Sequence, residues 1–522
     1  MSRAQSVVVV LIGTLVLGAF AYLAPTSAPV TAYAADPSNE DVSWLPEGLE
    51  LKDPEMAYGL EGVMRDLNVE LSKDVRPVDN AAVLLVQVFG EETFASELRG
   101  ASMDMLGIRK LAPEPRFQYI PQYAQGHRDP SITLDEQLDR MAESVMRCTE
   151  QVWTSDEFPE LAAYLDTNSE ALDLVVIASD RPKYYAPLLS LEDPMRLMAA
   201  SFSVEFRMPF MARCLTARAL NRFANGEIDA ALEDLMACHK LGVLLAKGSP
   251  LDISCAKAHM VDAFAGHAEL TMVRSGQLSP EHASQILAAL KAAPEMPKSD
   301  DAADRGERAL LHEELELLRS DEESRKGYFE SGSAEDLQAL ENIVKKPSLY
   351  RLMIDAADAL QDKMVRALGK ESHAELAAEL RVLDAEFAAW HLGEQQAPVP
   401  FAEFAAADPE AAARSIGHSM AMALRTNGWQ RRHTDDRAQH RRDVAHIGLA
   451  LIIYRGEHGA FPEELSALAP ELLDHVPLDV FSDEPWMYDR RSPEHAVLVS
   501  YGANQTNDHG ALLNDDVIVE LR

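Results

Sequence analysis

The stretch "CLTARALNRFANGEIDAALEDLMACHKLGVLLAKG" (Cys214–Gly248) decides the fold class. Apolar residues recur at helical spacing on both sides of Asn225-Gly226, a pair that suits a turn because both residues tolerate left-handed backbone. Gly248 is placed to end the second helix. The segment therefore predicts a helical hairpin. The next stretch, "SPLDISCAKAHMVDAFAGHAELTMVRSGQLSPEHASQILAAL", repeats the plan around Ser275-Gly276. Stacked hairpins over residues 192–291 imply a helical array.

Working towards the N-terminus, "NAAVLLVQVFG" (Asn80–Gly90) predicts a helix capped by Asp79 or Asn80 and closed by Gly90. Thr133–Val152 predicts an amphipathic helix with Leu134, Leu138, Met141, Val145 and Cys148 on one face. Two short helices are expected between Ser155 and Ala178, and the prolines of Leu111–Ser131 predict a loop. Tyr184 and Tyr185, beside Arg181 and Lys183, suit aromatic packing between helices, with a ligand surface as the alternative. Farther along, Glu307–Arg319 predicts a charged helix, residues 320–333 a loop, Leu337–Trp390 two helices, and residues 393–415 a break.

A chain of 522 residues is too long for one growing core. The expected divisions are a leader over 1–35, a helical region with loops over 36–131, the helical hairpin array over 132–424, and an α+β module over 425–522. In that last region Arg442–Gly459 predicts a helix, "FPEELSALAPELL" a short helix, and "VPLDVFSDEPWMYDRR", "HAVLVSYG" and "DDVIVEL" three short strands. The fold class is thus mainly α, an irregular helical array with a small C-terminal antiparallel sheet.

The composition is ordinary for a globular protein, with 47% hydrophobic and 25% charged residues. Its 85 acidic against 48 basic residues give a formal net charge of −37, which disfavours nucleic acid and anionic membrane surfaces. Against that background, six arginines fall between Arg425 and Arg442. This inversion reads as a solvated helix start, or as a patch that docks on an acidic neighbour.

Arg3, the apolar run Val7–Ala24 and the small-residue step Ala32-Tyr33-Ala34 read as an export signal, cleaved or retained as a single membrane anchor. Either way the mature chain is expected outside the cytoplasm, in the envelope or secreted, touching membrane only through an uncleaved leader. The four cysteines, Cys148, Cys214, Cys238 and Cys255, match no zinc spacing. They read as buried thiols, with one bridge among the last three as the alternative.

Two resemblances extend this reading. "NGEIDAALEDL" resembles the turn and second helix of tetratricopeptide hairpins, although the turn glycines lie 50 residues apart, not the 34 of that family. "YRGEHGAFPEELSALAPELL", "VPLDVFSDEPWMY" and "LVSYGANQTNDHG", over about 80 residues, resemble the globular part of type II secretion major pseudopilins. The expected Asp-Pro is here Asp479-Val480, the Gly-Gly is His509-Gly510, and the only long apolar run lies far upstream. That resemblance implies a fold, not polymerisation. The whole chain also resembles a family of large exported bacterial proteins with no established activity, through "DNAAVLLVQVFG", "FPELAAYLDTN" and "RPKYYAPL".

Among motifs of chemistry, Walker, dinucleotide and Gly-x-Ser-x-Gly signatures are absent from the sequence. His312 and Glu316 share a helical face but lack a second histidine four positions on, so surface pairing is expected. His433, His440, His446 and His458 are spaced 7, 6 and 12 apart, which makes no helical ligand set. No residue is assigned as catalytic. The final loop supplies oxygens from Ser500, Asn504, Thr506, Asn507, Asp508, Asn514, Asp515 and Asp516 within 17 residues. Calcium takes six to eight such ligands, and in the pseudopilins the corresponding loop resembles a calcium site. Asn504, Asp508, Asp515 and Asp516 are therefore the candidate ligands, with a solvated hairpin loop as the alternative. If they bind, calcium raises the thermal midpoint and Asp508→Ala with Asp515→Ala abolishes the rise; an unchanged midpoint at millimolar calcium refutes it.

The resulting expectation is an exported, non-enzymatic helical binding or scaffold protein with a protein or peptide partner. The competing expectation is an extracytoplasmic hydrolase with its site between the helical array and the end module.

Overall fold

The computed structural model describes residues 44–502 and 517–522, apart from 58, 59, 61, 193, 194, 250, 299, 301, 302, 330–332, 371, 397–399 and 425–427. The helices, in chain order, are α1 (Gly62–Leu71), α2 (Ala81–Phe89), α3 (Ser96–Leu106), α4 (Ile120–Gly126), α5 (Leu134–Arg147), α6 (Pro159–Thr167), α7 (Ser169–Ser179), α8 (Met208–Ala224), α9 (Ile228–Gly248) and α10 (Asp252–Arg274). They continue with α11 (Pro280–Ala292), α12 (Arg308–Ser320), α13 (Glu322–Tyr328), α14 (Ala334–Lys345), α15 (Pro347–Leu368), α16 (His373–Gln396), α17 (Phe401–Ala407), α18 (Pro409–Leu424) and α19 (Gly428–His458). Strands are few. β1 (Glu50–Leu51) pairs with β2 (Ile108–Lys110), and β3 (Leu478–Asp479) with β4 (Glu484–Pro485). The antiparallel sheet β5 (Met487–Ser492), β6 (His495–Ser500) and β7 (Val517–Leu521) closes the chain. The fold is mainly α with a small C-terminal sheet.

Local chemistry sets the helix ends. Asn80 caps α2 by accepting from the Ala82 amide, while its side-chain amide donates to the Tyr185 carbonyl. Gly90 closes the helix at φ 87°, backbone that suits glycine. Thr133 and Glu136 form a reciprocal capping box on α5, which ends at Arg147, with Cys148 as its C-cap, rather than at Val152. The two hairpins, α8–α9 and α10–α11, form with their turns at Asn225-Gly226 and Ser275-Gly276.

The differences lie mostly in the polar segments, and the expected Leu111–Ser131 loop contains α4. Residues 320–333 contain α13, with Asp321 capping it through the Ser324 amide. Three helices replace the two expected over Leu337–Trp390, and α17 and α18 occupy the expected break. Helix α19 begins fourteen residues before Arg442, at Gly428. The arginine-rich start is not solvated: Arg431 and Arg432 are buried. Arg431 pairs with Asp252 at 2.6 Å and Glu307 at 2.7 Å, so the charge inversion docks on acidic neighbours within the same chain.

One hydrophobic core runs from Ala81 through the two hairpins and α19 to Leu521 in β7. A second, centred on Leu315, Met353 and Ile416, joins α12, α14, α15, α17 and α18. Helix α19 is the spine between the hairpins and the sheet, and its glycines face close crossings. A Cβ on Gly448 would stand 2.9 Å from Val273 Cγ1, and one on Gly456 would run into the ring of Pro280. In the second core, a Cβ on Gly417 would meet the Met353 carbonyl. The tyrosines of "RPKYYAPL" are buried, and the Tyr185 hydroxyl donates to Asn68 Oδ1 at 3.0 Å.

Candidate functional site

A polar cavity of about 240 Å³ lies where the second hairpin, residues 293–298, α19 and the β3–β4 turn meet. Its wall carries a charged cluster built from three helices. His239 on α9 points both ring nitrogens at carboxylates on α10: Nδ1 lies 2.7 Å from Asp262 Oδ1, and Nε2 lies 2.8 Å from Glu269 Oε1. Asp262 and Glu269 are seven residues apart, two helical turns, and so share a face. Burial by itself would drive this imidazole neutral. The Glu269 charge and the Asp262 hydrogen bond overcome it and push the pKa up to about 10. At neutral pH His239 is thus an imidazolium donating from both nitrogens. Burial opposes the Asp262 charge too, yet the His239 hydrogen bond holds that carboxyl below its ordinary range.

Helix α19 supplies the opposite wall. Asp435 Oδ1 lies 3.1 Å from His259 Nε2. Asp436 accepts from Arg432 Nε at 2.6 Å and pairs with His373 Nδ1 at 2.9 Å. Arg432 also donates to the carbonyls of Leu368 and Lys370, and Arg442 to those of Leu290, Ala293 and Pro294. Near the end module, burial pushes the Asp443 carboxyl up to about 7, partly offset by the Gln439 amide. His446 goes the other way, down to about 4, through burial and the nearby Arg442 charge.

A second concavity, of about 740 Å³, lies between the α10–α11 turn, α19 and β7. Among the described residues, Arg274, Arg455 and Arg522 line it with one acidic side chain, Glu520, and apolar side chains including Leu278, Ile452 and Ile518. Arg274 Nη2 donates to the Ile518 carbonyl at 2.9 Å, and Arg455 lies over the Phe461 ring at 5.2 Å.

The candidate calcium ligands Asn504, Asp508, Asp515 and Asp516 lie outside the described residues, as does the leader over 1–35. Among the described residues no group of three or more metal-ligating side chains is positioned for an ion, and no helix is long and apolar enough to cross a membrane. The four cysteines are free and buried. Burial pushes the thiols of Cys148, Cys214 and Cys255 up to about 12, and that of Cys238 up as well, so none is a nucleophile at neutral pH. His312 pairs with Asp358 at 2.8 Å, while Glu316 accepts from Tyr350 and Arg319. His440 stacks on Trp486, with ring centroids 4.8 Å apart.

Sequence reasoning passed over His239, Asp262, Glu269 and Arg441. The signal for them is a set of ionisable residues on helix faces that otherwise read as core, such as Asp262 and Glu269 between Ala258 and Val273.

Fold and cavity together define a mainly α-helical protein with a charged cavity at the junction of its helical hairpins and its C-terminal sheet. No protein-family model, no curated protein and no solved structure matches the chain.

Proposed function

We propose that this chain is an exported, non-enzymatic helical binding protein whose pseudopilin-like end module closes the array, and which takes an acidic peptide segment of a protein partner in the groove beside β7. The observation that carries the reading is the groove's charge: among the described residues, three arginines against one glutamate, in a chain of formal charge −37. Apolar side chains between those arginines suit an extended segment that alternates acidic and apolar residues. Against the hydrolase reading stands the state of His239. An imidazole held as a cation, with both nitrogens occupied, accepts no proton at neutral pH.

The test is affinity capture from the cell envelope with the mature protein and with Arg274→Glu/Arg455→Glu. A partner retained by the wild type and lost from the folded variant is expected, and acidic peptides from that partner then bind the wild type at least tenfold more tightly. Equal recovery by both proteins overturns the groove assignment.

A further inference from the structure

We propose that the cavity between α10, residues 293–298 and α19 binds a small organic monocarboxylate, with the Arg441 guanidinium as its anchor. Most of the cations on this wall are already matched. His239 is bonded to two carboxylates, Arg432 to Asp436 and two carbonyls, and Arg442 to three carbonyls. Lys298 is exposed to solvent. Arg441 differs from all of these. Its nearest carboxylate oxygen, Asp262 Oδ2, is 4.0 Å away, outside hydrogen-bond reach, and its Nε is buried with no partner. Its side chain is 14% exposed, and it lines the cavity. A guanidinium stays charged and carries five donors, and since no protein acceptor among the described residues engages those of Arg441, they are free to bind one presented from the cavity.

The surroundings select the ligand. A carboxylate matches the planar fork with two parallel hydrogen bonds. A dianion such as phosphate or sulfate would face Asp262, Glu269, Asp435 and Asp436 on the same walls and be repelled. A single negative charge meets the guanidinium with about half of that repulsion. Glu295 and Gln439 also line the cavity, and between the polar groups Leu290, Met296 and Val480 offer apolar surface that suits a short hydrocarbon body. A volume of about 240 Å³ suits a small molecule. His259 completes the wall: Nε2 faces Asp435, and Nδ1 is buried without a partner.

The test is calorimetric and thermal-shift titration of the mature wild-type protein with sodium acetate, butyrate, succinate, phosphate and sulfate at constant ionic strength. Saturable butyrate binding is expected, weakened at least tenfold in Arg441→Gln, with phosphate and sulfate no better than chloride. Undiminished butyrate binding to folded Arg441→Gln, equal shifts from sulfate, or no saturation by any carboxylate at 50 mM would each overturn it. Because Arg441 is largely buried and its variant is open to misfolding, a crystal of the wild type with 4-bromobutyrate gives an independent reading. A bromine anomalous peak within the cavity is expected, and a peak only elsewhere refutes the assignment.

Discussion

Asp234→Ala is expected to lower the stability of the chain by about 3–5 kcal/mol, the range for removing one partner of a buried ion pair. Asp234 is fully buried on α9. Its Oδ1 accepts from Arg218 Nη2 at 2.6 Å, and its Oδ2 from Arg218 Nε at 3.1 Å and Arg222 Nη1 at 2.9 Å. Arg218 reaches on to Asp173 at 2.8 Å, so one guanidinium between two carboxylates pins α7, α8 and α9 together. Truncation leaves the Arg218 guanidinium, itself 7% exposed, with only the half-exposed Asp173 as a counter-charge. Urea denaturation followed by circular dichroism measures the loss. Arg218→Met/Asp234→Leu is expected to recover most of it, because replacing both charges with apolar side chains strands neither. A loss below about 1 kcal/mol for Asp234→Ala would show that Arg218 re-pairs without it.

The second large effect is a pH dependence centred on His239. Folding raises its pKa from the ordinary 6.5 to about 10. Between those values the folded chain keeps a proton that the unfolded chain releases. The contribution is therefore complete below pH 6.5 and is lost progressively as the pH rises to about 10. At 1.36 kcal/mol per pH unit it amounts to roughly 4–5 kcal/mol. His239→Gln, which removes the charge while keeping a polar side chain, is expected to be less stable than the wild type near pH 6.5. The gap closes as both are measured towards pH 10. A gap that stays constant across pH 6.5–10 would show that His239 does not hold the proton. Asp443 contributes in the same direction at lower pH. Its raised pKa means the folded chain holds that proton up to about pH 7, so stability falls as the pH rises from about 4 to 7.

These charged networks bear on the proposed function by excluding as well as by offering. The same ion pairs that rigidify the junction of hairpins and sheet keep His239 from accepting a proton at neutral pH. What they leave unmatched, the Arg441 fork and the arginines beside β7, is suited to holding anionic groups.

How far the sequence alone reaches can be read from particular elements. The hairpins at Asn225-Gly226 and Ser275-Gly276, the caps at Asn80 and Thr133, and the sheet of the last 36 residues are written in local signals: helical spacing, a turn pair, a side chain that satisfies a free amide. Those signals act within a few residues and need no tertiary partner. The start of α19 was illegible for the opposite reason. Its arginines and aspartates look solvated in one dimension, and only the approach of Asp252, Glu307 and Lys370 makes their burial favourable. The cavity is further still from the sequence. His239, Asp262 and Arg441 are separated by 23 and 179 positions, and each is an ordinary polar residue on its own helix. Local periodicity therefore determined the hairpin helices, their turns and the strands of the small sheet, but not the helices of the polar segments. The burial of charge, which depends on what faces it across a helix crossing, was decided by the tertiary structure alone, because a buried ion is tolerated only where its counter-charge is brought within hydrogen-bond reach.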